Sequence, residues 1–493
     1  MSISLQVEAA EAALAKSGRA EAYARAGIVV AMFSAVALNC MWQSPGSDPD
    51  IWWHLRAAEW ILQHRAFPHT DPFSRLGPGH SWQAYSWLFD IAVYWLFRWF
   101  GLAGILAYST ALMLAITAAL YRLMARLQPD FTIAVLLTFA GAICMERLHA
   151  PRSWLCSILF FILQLDILDK VRRDGRSRRL LWLLPIYALW ANIHIQFIDG
   201  LVVLAAAAIE PLLLPRWWPR RQEENLFPRS TWLAFAGCVA AICLNPYGIK
   251  IYRMAYELAL QQGVLDKVNE LLAMPFRDWS DFLILGLTLA AVAALSWQRR
   301  FPVWPTLLLG MGVFLSFRSQ RDIWFVVVVA CMVLASELRL RWHPPSARVR
   351  FSPALVPAST ALVIVIGGLT MHLSNARLAA KMEEDLPVRA VETILEKRYP
   401  GPVYNNYNWG GYLIWALRMP VAIDGRAALY GDQRIDRSVA TWMGEPNWAS
   451  DPQLTSSTLI VAPVKSPLTQ LLRVDAAFHL VYEDKVAAVF TRN

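Results

Sequence analysis

"DPDIWWHLRAAEWILQHRAFPHTDPFS" occupies residues 48–74 and directly follows the first long apolar segment of the chain. The stretch brings the acids Asp48 and Asp50, the histidine His54 and a pair of tryptophans close to that segment. Ionisable groups beside an apolar segment are costly unless they meet water or a polar partner. The role of these groups therefore depends on what surrounds the stretch, and the rest of the sequence indicates those surroundings.

The composition is that of a membrane protein with several spans. Of the 493 residues, 57% are hydrophobic, only 17% are charged and 23 are tryptophan, a balance that soluble domains of this length do not show. The net charge of +9 arises from short basic runs between apolar segments, where anchoring at the inner membrane face explains them. We therefore expect no nucleic-acid partner.

The cysteines and the N-terminal segment narrow the class further. All six cysteines lie in or beside apolar segments and none has C-x-x-C spacing, so neither disulfides nor a zinc site is predicted. Residues 1–25 are polar, and no small-residue cleavage site follows the next apolar run. We expect 1–25 to be a cytoplasmic segment and the first apolar run to be a retained anchor.

Eleven segments have the character of membrane-spanning helices, which need about 20 apolar residues. They lie near residues 26–43, 102–121, 131–147, 153–168, 180–195, 197–214, 230–245, 280–297, 303–317, 322–338 and 354–373. With the N-terminus in the cytoplasm, every inner loop is basic, as the positive-inside rule requires. These inner loops are 122–130, 169–179, 215–229, 298–301 and 338–350.

The same topology places the first loop, 44–101, on the outer face together with everything after residue 374. The segment 82–100, "WQAYSWLFDIAVYWLFRWF", is apolar enough to compete as a span, but counting it inverts every later loop. Its tryptophans and tyrosines and the interrupting Asp90 favour a helix that lies along the outer leaflet. The stretch 48–74 is therefore predicted to face outward.

The composition changes after the last span and predicts a small α/β domain over residues 375–493. A helical pattern covers 386–398, and short β-type runs follow at 402–404, 420–424, 458–462 and 486–491. Together with the membrane domain, 26–374, this predicts a multi-span α-helical membrane protein with a C-terminal extracytoplasmic α/β domain.

If "DIWWHLRAAEWIL" is a helix, Asp50 and His54 lie on one of its faces and Trp53 lies on a flanking face. One interpretation is an interfacial amphipathic helix that tryptophans anchor and that Asp48 or Asp50 caps. The other interpretation makes one carboxylate a general base or a metal ligand where substrates meet the membrane. The sequence leaves both open.

Further polar residues collect at the outer ends of other spans, which indicates a polar cavity because isolated ionisable groups there would be costly. The arginines oppose the positive-inside trend, and a guanidinium suits two-point contact with a phosphate. We therefore expect a phosphorylated lipid as the ligand. The candidate phosphate-binding residues are Arg147, Arg152, Arg318 and Arg321, and the candidate substrate-binding residues are Trp53, Glu146, His149, Asn192, His194, Tyr247 and Glu270.

This arrangement resembles the GT-C class of membrane glycosyltransferases, which includes the protein O-mannosyltransferases, the oligosaccharyltransferases and the aminoarabinose transferases of lipid A. The acid pair, the helix after it, Trp60 and Pro68 carry the resemblance, followed by an outer helix that fits 82–100. The stretches "WANIH", "LNPYG", "VYNNYNWGGYLIW" and "VAIDGRAALYG" are similar to a group of bacterial multi-span proteins described as glycosyltransferases. The second outer loop departs from the GT-C pattern, since "MERLHAPRSW" offers Glu146 with two arginines.

The resemblance implies an enzyme of the bacterial inner membrane that takes sugar from a polyprenyl-phosphate donor. Asp50 or Asp48 would then accept the proton of an acceptor hydroxyl as it attacks the anomeric carbon with inversion, and His54 would orient the carboxylate or contact the sugar. The acceptor would be a glycan, a lipid or a protein. No cofactor is certain, and a divalent cation remains an open possibility.

Two other functions remain open from the sequence. A transporter or flippase of a lipid-linked or polar substrate would use the same cavity, although such proteins need broken helices near mid-membrane and the interior stretches here are largely uninterrupted. A non-catalytic membrane scaffold would use the C-terminal domain to bind partners. Residues 405–415 and 422–431 suit turns, and they equally suit sugar stacking over the cavity.

Overall fold

The computed structural model describes residues 3–213, 226–260, 269–297, 302–339 and 355–492. Most of the predicted inner loops at 215–229 and 338–350, and all of 298–301, lie outside the described residues. Twenty α-helices lie within these ranges. They are α1 (Ile3–Trp42), α2 (Ile51–His64), α3 (Trp87–Phe100), α4 (Leu102–Leu127), α5 (Phe131–Cys144), α6 (Trp154–Asp174), α7 (Leu183–Ile193), α8 (Phe197–Leu213), α9 (Thr231–Ile242), α10 (Lys250–Leu260), α11 (Trp279–Ser296), α12 (Val303–Arg318), α13 (Ile323–Arg339), α14 (Leu355–Thr370), α15 (Asn375–Met382), α16 (Val388–Lys397), α17 (Gly410–Leu417), α18 (Ala427–Trp442), α19 (Pro452–Thr455) and α20 (Pro467–Val474).

Each of the eleven predicted spans contains one of these helices. Those long and apolar enough to cross a bilayer are Ala20–Trp42 within α1, then α4 and α11. The pair α14 and α15 also qualifies when it is counted as one span bent by 65°. The helices α5, α9 and α12 are apolar but shorter. The chain is thus a helical membrane protein, and the number eleven stays a prediction.

Helix α13 forms the centre of the bundle. Its residues from Ile323 to Ala335 are buried around the whole circumference, as expected for a helix that is valine-rich on every face. It packs against α11, α12, α5 and α4. At one end of the bundle, Arg126 near the end of α4 donates to Asp166 and Asp169 of α6 at 2.7 and 2.6 Å, so the C-terminal ends of these two helices lie together.

The first loop carries the two amphipathic helices α2 and α3, which pack on each other, while α3 also packs on α4. The apolar face of α2 is buried, and Trp52 makes an edge-to-face contact with Phe97 of α3 at 5.9 Å between ring centroids. On its other side α3 leaves Trp99 and Phe100 exposed, as an outer-leaflet helix would. The predicted helix at 82–100 begins only at Trp87.

The C-terminal residues form a four-stranded sheet from β1 (Val403–Asn405), β2 (Leu459–Pro463), β3 (Phe478–Glu483) and β4 (Ala487–Arg492). The strand order is β1-β2-β4-β3, with β1 parallel to β2 and the remaining pairs antiparallel. Three predicted strands match β1, β2 and β4, and the predicted helix at 386–398 matches α16. The predicted strand at 420–424 is wrong, because Val421 makes a single bridge to Ser74 of the first loop instead.

That bridge belongs to a joint between the first loop and the C-terminal residues. Arg426 donates to Asp71 at 2.7 Å and to both carboxylate oxygens of Asp424 at 2.8 Å, and all three side chains are buried. The guanidinium carbon of Arg426 also lies 4.7 Å from the ring centroid of Trp82. Two buried carboxylates thus share one cation that joins residues far apart in the sequence.

We expect Arg426→Met to lower the thermal stability of the protein strongly. The substitution leaves Asp71 and Asp424 buried without their cation, and removing one partner of a buried ion pair costs about 3–5 kcal/mol. Thermal unfolding of the purified protein in detergent measures the effect. Arg473→Met removes an exposed pair with Glu483 and serves as the control, for which little change is expected. Equal melting temperatures for the two variants would contradict the importance of this joint.

Candidate functional site

Asp48 holds the start of α2 and one cation at the same time. Its Oδ1 accepts the backbone N–H groups of Asp50 at 2.9 Å and Ile51 at 3.2 Å, which satisfies donors at the helix N-terminus. Its Oδ2 accepts Nε of Arg152 at 2.7 Å. Both oxygens are therefore engaged, so Asp48 is a capping and positioning group.

Arg152, just before α6, is shared by three carboxylates. Besides Asp48, its Nη1 donates to Asp50 and its Nη2 lies 3.3 Å from Oε1 of Glu270. Only 8% of the Arg152 side chain is exposed, whereas 42% of the Glu270 side chain is. One buried guanidinium thus faces three acids, which leaves an excess of negative charge.

This imbalance bears on the protonation of Asp50. The pKa of Asp50 is raised to about 7, mainly because the carboxyl group is buried; Arg152 lowers this pKa, and Asp48 and Glu270 raise it. A carboxyl group whose pKa lies near neutrality can both take up and release a proton under physiological conditions. Of the acid pair at 48–50, Asp50 is therefore the one suited to proton transfer.

Asp50 lies in the wall of a cavity of about 330 Å³. The first loop, the start of α6, the turn between α7 and α8, α10 and the C-terminal residues all contribute to this wall. Several residues that were predicted from the sequence line the cavity, together with others that were not predicted. The polar and aromatic lining residues include Asp50, Trp53, His54, Trp82, Asp90, Arg152, His194, Glu270, Arg321, Tyr407, Asn408 and Arg426.

His54 faces Asp90 of α3 rather than Asp50. Its Nδ1 lies 2.6 Å from Oδ1 of Asp90, and the ring of Trp53 stacks on the imidazole at 3.5 Å between centroids. Burial lowers the pKa of His54 and raises the pKa of Asp90, so a neutral imidazole beside a protonated, neutral carboxyl group is the favoured state. Asp90 could have been found as the single acid within an apolar helix.

Arg321, between α12 and α13, is the cation in the cavity with spare hydrogen-bonding capacity. Its Nε is buried and has no hydrogen-bond partner among the residues that the structure describes. Oδ1 of Asp322 lies 4.0 Å from this Nε, and the same oxygen accepts Nε2 of Gln196 at 2.6 Å. A buried donor without a partner is costly, so this guanidinium is prepared for an anionic ligand.

His194, in the turn between α7 and α8, also lines the cavity. Its Nδ1 lies 2.8 Å from Oγ of Ser157, and that hydroxyl in turn accepts Nε1 of Trp190 at 2.8 Å. The hydroxyl oxygen has two lone pairs and one hydrogen, so it accepts from Trp190 and can either donate to His194 or accept from it.

Besides Asp48, six of the sequence candidates lie outside the cavity wall. Arg147 donates to Asp281, and Nη2 also donates to Ser280 at 2.6 Å, while Arg318 lies over the ring of Phe314. Glu146 is exposed, and Nδ1 of His149 contacts the Glu146 carbonyl oxygen. These four residues therefore do not share a pocket with Asp50.

The other two, Asn192 and Tyr247, hold the first loop in place. Asn192 accepts Nε1 of Trp87 at 2.7 Å and donates to two backbone carbonyls. The hydroxyl of Tyr247 accepts the N–H of Ala84 at 2.9 Å and donates to the carbonyl of Pro68 at 3.1 Å. The stretches "WANIH" and "LNPYG" thus position the loop that carries Asp50.

The C-terminal residues close the cavity on the side of Asp50. A Cβ atom on Gly425 would lie 1.7 Å from Oδ1 of Asp50, so only glycine permits this approach. Tyr407 donates to the carbonyl of Gly425 at 3.2 Å, and both residues line the cavity. The stretches at 405–415 and 422–431 indicated this contribution in the sequence, but their turn residues equally suited a structural role.

The acids around Arg152 do not fit a divalent cation. Asp48 uses both oxygens, and one oxygen each of Asp50 and Glu270 contacts the guanidinium, which already supplies the positive charge. Within the described ranges, no group of three or more His, Cys, Asp or Glu side chains is arranged to hold a metal ion. We assign no step to a metal.

The fold is shared with solved membrane enzymes. The Archaeoglobus fulgidus oligosaccharyltransferase tethered to an acceptor peptide matches 89% of this chain and 69% of its own, with a TM-score of 0.52 and 12% identity. The chain has the GT-C fold. The arabinofuranosyltransferase AftD from Mycobacteria matches 94% of this chain and 40% of its own, with a TM-score of 0.50 and 15% identity.

A third GT-C neighbour is ArnT from Cupriavidus metallidurans bound to undecaprenyl phosphate. It matches 94% of this chain and 97% of its own, with a TM-score of 0.47 and 13% identity. No protein-family model matches the sequence, and no curated protein matches it either. The predicted resemblance to the GT-C class is confirmed at the level of the fold.

We expect Arg152→Met to lower stability most at alkaline pH. Without the guanidinium, Asp48, Asp50 and Glu270 repel one another when ionised, and the folded state then binds protons more tightly than the unfolded state. Stability falls with rising pH wherever the folded state binds more protons, so the deficit in melting temperature relative to the unmodified protein grows as the pH rises through about 7, where Asp50 of the unmodified protein ionises.

Melting curves of the variant and of Arg147→Met, which faces the single acid Asp281, form the matched comparison. A deficit for Arg152→Met that is constant with pH would show that the three acids do not interact through Arg152.

Proposed function

We propose that this GT-C protein transfers a sugar from a polyprenyl-phosphate donor to an extracytoplasmic glycan, lipid or protein acceptor. One observation carries the proposal: a single cavity holds an acid with a near-neutral pKa, Asp50, and a cation with an open donor, Arg321. Transfer from a lipid phosphate needs both groups, because the acceptor loses a proton while the phosphate gains charge.

In the proposed reaction, Asp50 accepts the proton of the acceptor hydroxyl. The acceptor oxygen forms a bond to the anomeric carbon as the bond from that carbon to the phosphate oxygen breaks, with inversion of configuration. The polyprenyl phosphate leaves with the bonding electron pair. Arg152 opposes the effect of burial on the pKa of Asp50, so a fraction of Asp50 is ionised near neutral pH and accepts the proton.

Arg321 is the residue that we assign to the leaving phosphate. A preorganised cation in a water-poor cavity stabilises developing negative charge by several kcal/mol. Arg152 has a different role, because its donors are engaged by Asp48, Asp50 and Glu270. It positions the acids, and Asp48 positions Arg152 in turn. We assign contact with the sugar to His194 and Trp53, which both line the cavity.

The proposed setting is the bacterial inner membrane, with residues 1–25 in the cytoplasm and 375–493 outside. Asp50, beside the end of α1, contacts Gly425, so the first loop and the C-terminal residues lie on one side of the bundle, as this topology requires. We propose 26–374 as the membrane domain and 375–493 as the α/β domain.

We expect Asp50→Asn to reduce sugar transfer by about a hundredfold or more, because the amide cannot accept the proton. The assay uses purified protein in liposomes with a panel of polyprenyl-phosphate sugars. In the unmodified protein, the rate should rise with pH through about 7, since Asp50 must be ionised. Glu146→Gln, at an exposed acid outside the cavity, is the control and should leave transfer unchanged.

Normal transfer by Asp50→Asn would exclude Asp50 as the base. Movement of lipid across the bilayer without transfer of any sugar would replace the enzyme by a transporter.

We expect Arg321→Met to weaken use of the donor, because the phosphate loses its cation. The KM for the donor should rise about tenfold or more, or kcat should fall comparably if the charge is stabilised mainly in the transition state. Arg318→Met, three residues away and outside the cavity wall, is the matched control. An equal effect of the two substitutions would exclude Arg321 as the phosphate-binding residue.

A further inference from the structure

A second cleft, of about 690 Å³, lies in the C-terminal residues and shares no lining residue with the cavity around Asp50. Its walls come from the second half of α18, from residues 422–423 and from the start of α19. The lining includes amides and hydroxyls, among them those of Gln433, Ser438 and Ser450. A polar cleft of this kind suits a hydrated, hydroxyl-rich ligand.

The cleft is edged by arginines. Arg434 and Arg437 line it, and Arg75 of the first loop lies against the same short helix, donating to the carbonyl of Gln453 at 2.8 Å. Burial lowers the pKa of Arg434, as it does that of Arg75, which the neighbouring Arg434 lowers further. These guanidinium groups therefore gain from an added negative charge.

The acids of the cleft offset these cations only in part. Asp451 is buried, and its Oδ2 already accepts the hydroxyls of Tyr404 at 2.9 Å and Thr441 at 3.0 Å. Its Oδ1 accepts the N–H of Gln453 at 2.9 Å. Asp436 is exposed at the edge. The hydrogen bonds to Asp451 hold α18 and α19 together.

Two buried polar atoms of the lining residues have no hydrogen-bond partner within the described ranges. They are Nε of Arg437, a donor, and Oε1 of Gln453, an acceptor. Nη2 of Arg437 donates to Oγ of Ser450 at 2.8 Å and to the carbonyl of Asn447 at 3.3 Å. An unpaired donor and an unpaired acceptor together suit sugar hydroxyls, which both accept and donate.

The same segment of chain forms walls of both cavities. Residues 422–423 line the cleft and 425–429 line the cavity around Asp50. Within α18 the two halves are divided at Gly431, whose φ of 70° is a conformation that glycine adopts readily. The ring of Tyr430 lies 6.0 Å from the guanidinium carbon of Arg434. A ligand in the cleft would therefore lie beside the wall of the reaction cavity.

We propose that the cleft lined by Arg434, Arg437 and Gln453 binds an acidic glycan, and that this glycan belongs to the acceptor. The second part of the proposal rests on the transferase function proposed above. The first part, binding of an acidic carbohydrate, does not depend on it. Guanidinium groups recognise the acidic group, while the amides, the hydroxyls and the two unpaired atoms recognise sugar hydroxyls.

The test measures binding of a fluorescent oligogalacturonate to the full-length protein in detergent. Its fully methyl-esterified form has the same sugars without the charge and serves as the matched probe. We expect the acidic form to bind, binding to weaken with added salt, and the ester to bind about tenfold or more weakly. No binding of the acidic form, or equal binding of both forms, would overturn the proposal.

Substitutions then locate the binding. Arg434→Met combined with Arg437→Met should weaken binding about tenfold or more, since both charges are lost. Gln433→Trp fills the cleft at an exposed residue and should also block binding, which keeps the test valid if the arginine variant unfolds. Arg473→Met, at an exposed arginine outside the cleft, should bind normally. Unchanged binding by Gln433→Trp would overturn the assignment to this cleft.

The failure of this proposal is distinguishable from the failure of the proposed function. Asp50→Asn should bind the oligogalacturonate normally while transferring no sugar. Binding without any transfer by the unmodified protein would support the cleft and contradict the transferase. Transfer to acidic acceptors that is unaffected by Gln433→Trp would support the transferase and overturn the role of the cleft in acceptor binding.

Discussion

The arrangement of the site depends on one shared counter-charge, the guanidinium of Arg152. It joins Asp48 and Asp50, which precede α2, to Glu270, which lies more than 200 residues later in the chain. Because one buried cation serves three acids, the wall around Asp50 keeps an excess of negative charge, and this excess acts with burial to raise the pKa of Asp50. Because the three acids engage the donors of Arg152, this guanidinium has none left for a phosphate. Nε of Arg321, in contrast, has no partner among the described residues.

Much of the fold could be predicted because it is encoded locally. The cap at Asp48 and the helix after it follow from a few neighbouring residues, and apolar length marks the helices of the bundle. The strand predicted at 420–424 failed for the opposite reason. Its residues have β character, but Val421 pairs with Ser74, and no local pattern encodes a partner so far away.

In the candidate site, too, contacts that depend on distant parts of the chain could not be predicted from local sequence. Arg147 and Arg321 look alike in the sequence, since each follows an apolar segment at the predicted outer face. Only the packing of the helices separates them, because it brings Asp281 to Arg147 and leaves Nε of Arg321 without a partner in the described part of the chain.

The joint between Arg426 and Asp71 has a consequence for biosynthesis, because its two residues are 355 positions apart. The cavity wall beside Asp50 includes residues 425–429, so it is completed only after the ribosome has made these residues. Until then, the acids of the first loop lack the C-terminal residues that complete the cavity wall beside them. A nascent or truncated chain that stops before residue 425 therefore has an incomplete pocket, although its first loop is already made.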